Sequence, residues 1–125
     1  MTDLTAWLLE QIDEDERIAD RAIDVSTDLG HRINWSTFSN TEVDDAAAHH
    51  QAWNPDRTLA ECEAKRRIVV LHPVVGEDVC DTCVVGKRGY PEHGESTPER
   101  WPCGTLRALA LPYVDRPGYE AAWRP

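Results

Sequence analysis

No apolar run in this 125-residue chain approaches the roughly eighteen residues that a membrane-spanning helix needs, so no such helix is expected. The opening stretch, MTDLTAWLLEQIDEDER, has neither a basic start nor an apolar central segment. It does not read as a secretory leader, and the expected compartment is the cytoplasm. Positive charge is scarce as well. Thirteen Lys and Arg face twenty-three Asp and Glu, a net charge of −10, which repels phosphate backbones. A nucleic-acid interface would need a segregated basic patch, and only KRR at 65–67 and Lys87-Arg88 offer one. Nucleotide-binding and hydrolase signatures are missing too: the chain has no P-loop, no G-x-S-x-G, no G-x-G-x-x-G and no H-E-x-x-H. No catalytic residue is therefore assigned, and the expectation is a protein that is not an enzyme.

What remains is one small domain, residues 1–125, with five tryptophans to anchor a core. Charged residues make up 29% of it and mean hydropathy is −0.54, so that core must be modest and a local staple would help. Acid is concentrated at the front. Residues 1–28 hold nine carboxylates against Arg17 and Arg21. This makes the first helix a candidate contact surface, or a DNA-mimic-like face directed at another protein.

Helical spacing is plain at both ends of the chain. Leu4, Trp7, Leu8, Ile12, Ile18, Ala19, Ala22 and Ile23 predict an acidic amphipathic helix over 3–23, capped by Thr2 or Asp3 and supported by an Asp13–Arg17 pair. HRINWSTF at 31–38 alternates as a short strand should, and TEVDDAAAHHQAW at 41–53 favours helix. His49 and His50 are adjacent there, so their rings diverge by about 100° and cannot easily share an ion. Asn54-Pro55 restarts the chain for a central helix over 55–72, with Leu59, Ala60, Ala64, Ile68 and Leu71 inward and Arg57, Glu61, Lys65 and Arg66 outward. CGTLRALALPY predicts a last helix running from Cys103 to just before Pro112. The terminal wrap, 112–125, carries Tyr113, Tyr119 and Trp123, which should pin it to the body and are a second candidate contact surface. Between the central and last helices, residues 73–102 are rich in proline and glycine and read as irregular. So long a stretch in a compact domain needs something to order it.

Cys80 and Cys83, in GEDVCDTCV, supply the means. A C-x-x-C turn lets two thiolates reach one ion, and tetrahedral zinc needs two further ligands. Cys103 stands at the predicted start of the last helix, where free N–H groups favour a thiolate. The fourth ligand is His72, closing the central helix, or His93, within the loop. His72 is preferred because a rigid element holds geometry better. The zinc-binding segment then spans 72–111, with a knuckle followed by a ligand-bearing helix in treble-clef-like fashion. A redox dithiol would require a helix after the pair, and VVGKRGYP cannot start one. Three unligated cysteines are the remaining alternative. Cys62, in TLAECEAK, reads as a small half-buried apolar residue rather than a ligand.

Taken together, DLTAWLLEQIDEDERIA, NPDRTLAECEAKRRIVVLH and WPCGTLRALALPYVDRPGYEAAWRP resemble actinobacterial and actinophage proteins of the domain-of-unknown-function 6221 family. The resemblance implies no activity. It implies a bacterial or phage setting inside the cell and favours pairing His72 with Cys103, since both lie in family-like segments. The expected fold is a mostly helical α+β domain with a short strand pair and a zinc-stapled irregular segment. The expected function is a small accessory protein holding one structural Zn2+ and acting through contact with another protein. The alternative is a zinc-knuckle nucleic-acid module using Lys87, Arg88, Arg100 and Arg107.

Overall fold

A computed structural model describes residues 3–28, 49, 52–85 and 97–125. The strand expected at 31–38, most of the helix expected at 41–53, Lys87-Arg88 and His93 lie outside the described residues. Among those described, the chain forms α1 (Leu4–Asp28), α2 (Pro55–Val70), β1 (Val74–Val75), β2 (Val79–Val85), β3 (Thr97–Arg100) and α3 (Gly104–Ala110). Two 3-10 turns follow, Leu111–Tyr113 and Ala121–Trp123. The fold is the mostly helical α+β arrangement expected. The strands, however, form a three-stranded antiparallel sheet in the order β1-β2-β3, inside the segment read as irregular. The chain gathers into two compact units, Met1–Gln11 with Lys65–Pro125, and Ile12–Ala64.

In the unit Ile12–Ala64, Ile12, Ala19 and Cys62 are buried. Asn54 caps α2 as its position before Pro55 predicts: its Oδ1 accepts from the Arg57 N–H at 3.0 Å. Cys62 is more deeply placed than expected, 1% exposed, and its thiol donates to the Ile12 carbonyl at 3.6 Å. Ile18 is more exposed than its place in the predicted stripe implies. Arg17 pairs with Glu14, its Nη2 2.7 Å from Oε1, rather than with Asp13, because i,i+3 is as close as i,i+4 on a helix.

The other unit is organised around Trp7. Asp3 caps α1, its Oδ1 accepting from the Thr5 N–H at 2.9 Å, and the first turns bury Leu4, Trp7 and Leu8. The Trp7 ring meets Tyr113, Tyr119 and Trp123 at centroid distances of 6.4, 5.8 and 5.2 Å. Its indole N–H donates to the Pro117 carbonyl at 3.0 Å. Gly118 permits this approach. Its φ of +88° is left-handed, and a Cβ there would sit 2.7 Å from Trp7 Nε1. The tail is thus pinned as predicted, with Tyr113 and Trp123 buried and Tyr119 half-buried.

α2 also departs from its predicted stripe. Val69 is buried, whereas Leu71 is 62% exposed and Ala60 and Ala64 face solvent. Lys65 turns inward because Tyr113 offers an acceptor and a ring face: Nζ donates to Oη at 2.9 Å and lies 5.0 Å from the ring centroid. The helix ends at Val70 instead of His72, two residues short of the expected boundary. Pro73 disfavours helical geometry for the residue before it, and His72 is left in a turn, its N–H on the Val69 carbonyl at 3.1 Å.

Candidate metal centre

β1 and β2 are joined by Gly76-Glu77-Asp78, with Gly76 and Asp78 both at positive φ. Glycine adopts that conformation without steric cost, and aspartate is one of the few other residues that tolerates it. The hairpin pairs Val75 with Val79 and Val74 with Cys80. On the other side, β2 pairs Val79 with Arg100 and Val84 with Pro98. Four residues, 80–83, therefore face only Glu99 across the ladder. The C-x-x-C segment is a bulge in a strand, which turns both sulfurs to one side. Two backbone N–H groups close the turn on Cys80 Sγ, from Thr82 at 3.5 Å and from Cys83 at 3.4 Å.

Cys103 arrives from a different element. It is the N-cap of α3, with extended backbone, and follows the cis Trp101–Pro102 peptide bond. Leu106 and Ala110 bury the helix behind it at the predicted spacing. Glu99 fixes the entry, its Oε1 accepting from the Gly104 N–H at 2.7 Å. His72 comes from the turn that ends α2. The Thr82 hydroxyl donates to the Leu71 carbonyl, and the Asp81 N–H donates to the Pro73 carbonyl at 3.0 Å, so the bulge is tied to residues on either side of His72.

The ligand atoms of His72, Cys80, Cys83 and Cys103 all lie within 4.8 Å of one another, and the group could hold a metal ion. His72 Nδ1 is 3.5 Å from Cys80 Sγ, 3.3 Å from Cys83 Sγ and 3.7 Å from Cys103 Sγ. A tetrahedral ion bonded at about 2.3 Å to sulfur and about 2.0 Å to imidazole nitrogen has S···N edges of about 3.5 Å. The donor set fits that size. Cys80 and Cys103 are buried, at 1% and 0% exposure, while His72 and Cys83 are half-buried. Cys62 is not part of the group.

The thiols differ in acidity. Burial pushes Cys80 up, but the N–H groups of Cys83 and Thr82, with His72 and Cys103, outweigh it and bring Cys80 down to about 7. Cys103 goes the other way. Burial raises it first, the Leu106 N–H opposes that, and the sulfurs of Cys80 and Cys83 add to the rise, which reaches about 12. The helix start at Cys103 does stabilise a thiolate as expected, but desolvation and two neighbouring sulfurs overcome it.

Three residues around the centre carry no sequence signal. Thr82 and Glu99 hold the bulge and the helix entry, and Thr105 Oγ1 lies 3.6 Å from Cys83 Sγ. Ordinary threonines and glutamates become visible as supports only once the ladder register is known. Of the basic residues considered for nucleic acid, Arg100 is exposed on β3, while Arg107 is half-buried, 3.8 Å from Glu99. None of the described helices is long and apolar enough to cross a membrane. No curated protein and no solved structure matches the chain. Among protein families, the match is to the family of unknown function DUF6221, over residues 1–125. The chain belongs to that family.

Proposed function

We propose that this protein is a zinc-stapled, non-catalytic accessory protein that works by contacting another protein. The observation that carries the zinc reading is the convergence of three sulfurs and one imidazole nitrogen, from three separate elements, on a cluster of tetrahedral size. Thiolate and imidazole donors select zinc over harder ions such as calcium or magnesium. The bound cation would stabilise three thiolates that repel one another without it. Four protein donors complete a tetrahedron and leave no position for substrate, which supports a structural role. His72 would supply Nδ1, Cys80 and Cys83 the knuckle, and Cys103 the helix end.

Contact with a protein is supported by an apolar surface near α2's end. Val70 is 76% exposed beside Leu71, and Arg66 and Arg67 line the same shallow groove. Exposed apolar side chains rimmed by charge are characteristic of association surfaces. The first test is metal content of protein purified under reducing conditions, beside Cys103→Ser. About one zinc per chain, lost in the variant together with the β2 and β3 amide signals, is the expected result. A metal-free parent that keeps its sheet would refute the reading.

A further inference from the structure

A second group of side chains gathers where β3 leads into α3. Pro98, Glu99, Arg100, Trp101, Arg107 and Ala122 line an open cleft of about 570 Å3. The polar groups there are unbalanced. The Trp101 indole N–H and the Arg107 Nε–H are buried and have no acceptor. Arg107's outer nitrogens make only long contacts, Nη1 to the Arg124 carbonyl at 3.4 Å and Nη2 to Glu99 Oε1 at 3.8 Å. Glu99, the one carboxylate in the lining, spends its Oε1 on the Gly104 N–H at 2.7 Å. Arg100 is exposed on the same wall.

Buried donors without acceptors cost stability, and native structures rarely keep two together without an ion, water or ligand to satisfy them. Here the surplus is of one kind. Two guanidinium groups and an indole N–H gather in one cleft of a chain whose net charge is −10. The complement of such a surface is a group with several acceptor oxygens and negative charge, and guanidinium forks match the oxygen spacing of carboxylates and phosphates.

We infer that this cleft is an oxyanion-binding site, in which Arg100 and Arg107 hold a carboxylate or phosphate group. The outer guanidinium nitrogens meet the ligand first. The Arg107 Nε–H and the Trp101 indole N–H, buried behind the lining and without a protein acceptor, sense its charge. Its donors are separate from the metal cluster: none of the four thiol and imidazole donors lines the cleft.

The test is a titration of the full-length protein with sodium acetate, inorganic phosphate or sodium chloride at matched ionic strength. Indole and arginine N–H signals would be followed by NMR, with the Trp101 indole assigned through Trp101→Phe. A saturable shift of the Trp101 indole with acetate or phosphate, absent with chloride, is expected. Arg100→Gln and Arg107→Gln should each weaken it about tenfold, the loss of one charge-assisted pair. The anion that saturates first identifies carboxylate or phosphate as the natural group. Arg100→Gln decides the matter if Arg107→Gln disturbs folding, because Arg100 is exposed. Equal shifts with chloride, shifts that never saturate, or saturation unchanged in Arg100→Gln would overturn the assignment.

Discussion

Residues 72–103 and residues 104–123 adjoin in sequence but are ordered by different means. The latter fold on aromatic rings: Trp7 gathers Tyr113, Tyr119 and Trp123, and Leu106 and Ala110 are buried. Among their described residues, the former bury almost no hydrocarbon. β1 is exposed at both residues, β3 at three of four, and the buried side chains of the knuckle are Cys80 and Cys103. A sheet with two, seven and four residues in its strands has little apolar area with which to offset chain entropy. On the proposed zinc reading, ligand bonds replace a hydrophobic core in one stretch, and ring packing supplies one in the next.

The sharpest way to break this contrast is to remove metal. A structural zinc contributes on the order of 10 kcal/mol to folding. With a strong chelator, amides of β2 and β3 should lose hydrogen-exchange protection while those of 106–113 keep theirs. Simultaneous loss in both stretches would mean that they fold as one and that the contrast is false.

The reverse experiment cuts the aromatic side. Trp7→Ala should cost about 3–5 kcal/mol, the usual toll for a buried large aromatic. Gly118→Ala should cost about 1–3 kcal/mol, since the new Cβ both meets the indole and is held at an unfavourable φ. Denaturant titration would give both values, and each variant should retain its metal. Zinc loss in Gly118→Ala would show that the two stretches depend on each other.

Legibility in the sequence follows the same division. The last helix could be read directly, because Leu106 and Ala110 repeat at helical spacing and Cys103 stands where an N-cap should. Asn54-Pro55 announced α2 by cap chemistry alone. The sheet could not be read, because its strands are short and the longest is broken by the bulge that carries Cys80 and Cys83. Val74, Val75, Val79, Val84 and Val85 are β-branched, a clue that proline and glycine nearby obscured. The gathering of the four side chains was legible in part: Cys80 and Cys83 because C-x-x-C is local, and His72 because Pro73 ends the helix beside it. The inward turn of Lys65 was not, since it depends on Tyr113, forty-eight residues away.

Smaller effects sharpen the picture. Thr82→Val removes the hydroxyl that the Leu71 carbonyl accepts. It should cost about 0.5–1.5 kcal/mol and loosen zinc without abolishing it. Unchanged zinc affinity in a competition titration would show that the tie does not position His72.

Proton release is the finest probe. In the metal-free protein Cys80 sits near 7, below its ordinary value of 9.0, so its contribution to stability is present above 9 and fades as pH falls through 7. Cys103, raised to about 12, contributes fully below 9 and loses that contribution as pH rises through 12. On metal uptake Cys103 should give up about one proton at any pH between 7 and 9, whereas Cys80's share should fall from about one half to nearly none. Calorimetry in buffers of different ionisation enthalpy would measure that decline. A release that grows toward pH 9 would contradict the order of the two thiols.

Cys62 gives the molecule a built-in witness. Its sulfur is buried on the Ile12 carbonyl and belongs to a different compact unit from the other three cysteines. A thiol reagent applied during a slow chelation should therefore modify cysteines in two instalments. Three sulfurs become available when the cluster lets go, and a fourth only when Ile12–Ala64 opens. The interval between the instalments separates opening of the cluster from loss of the fold, with no label added.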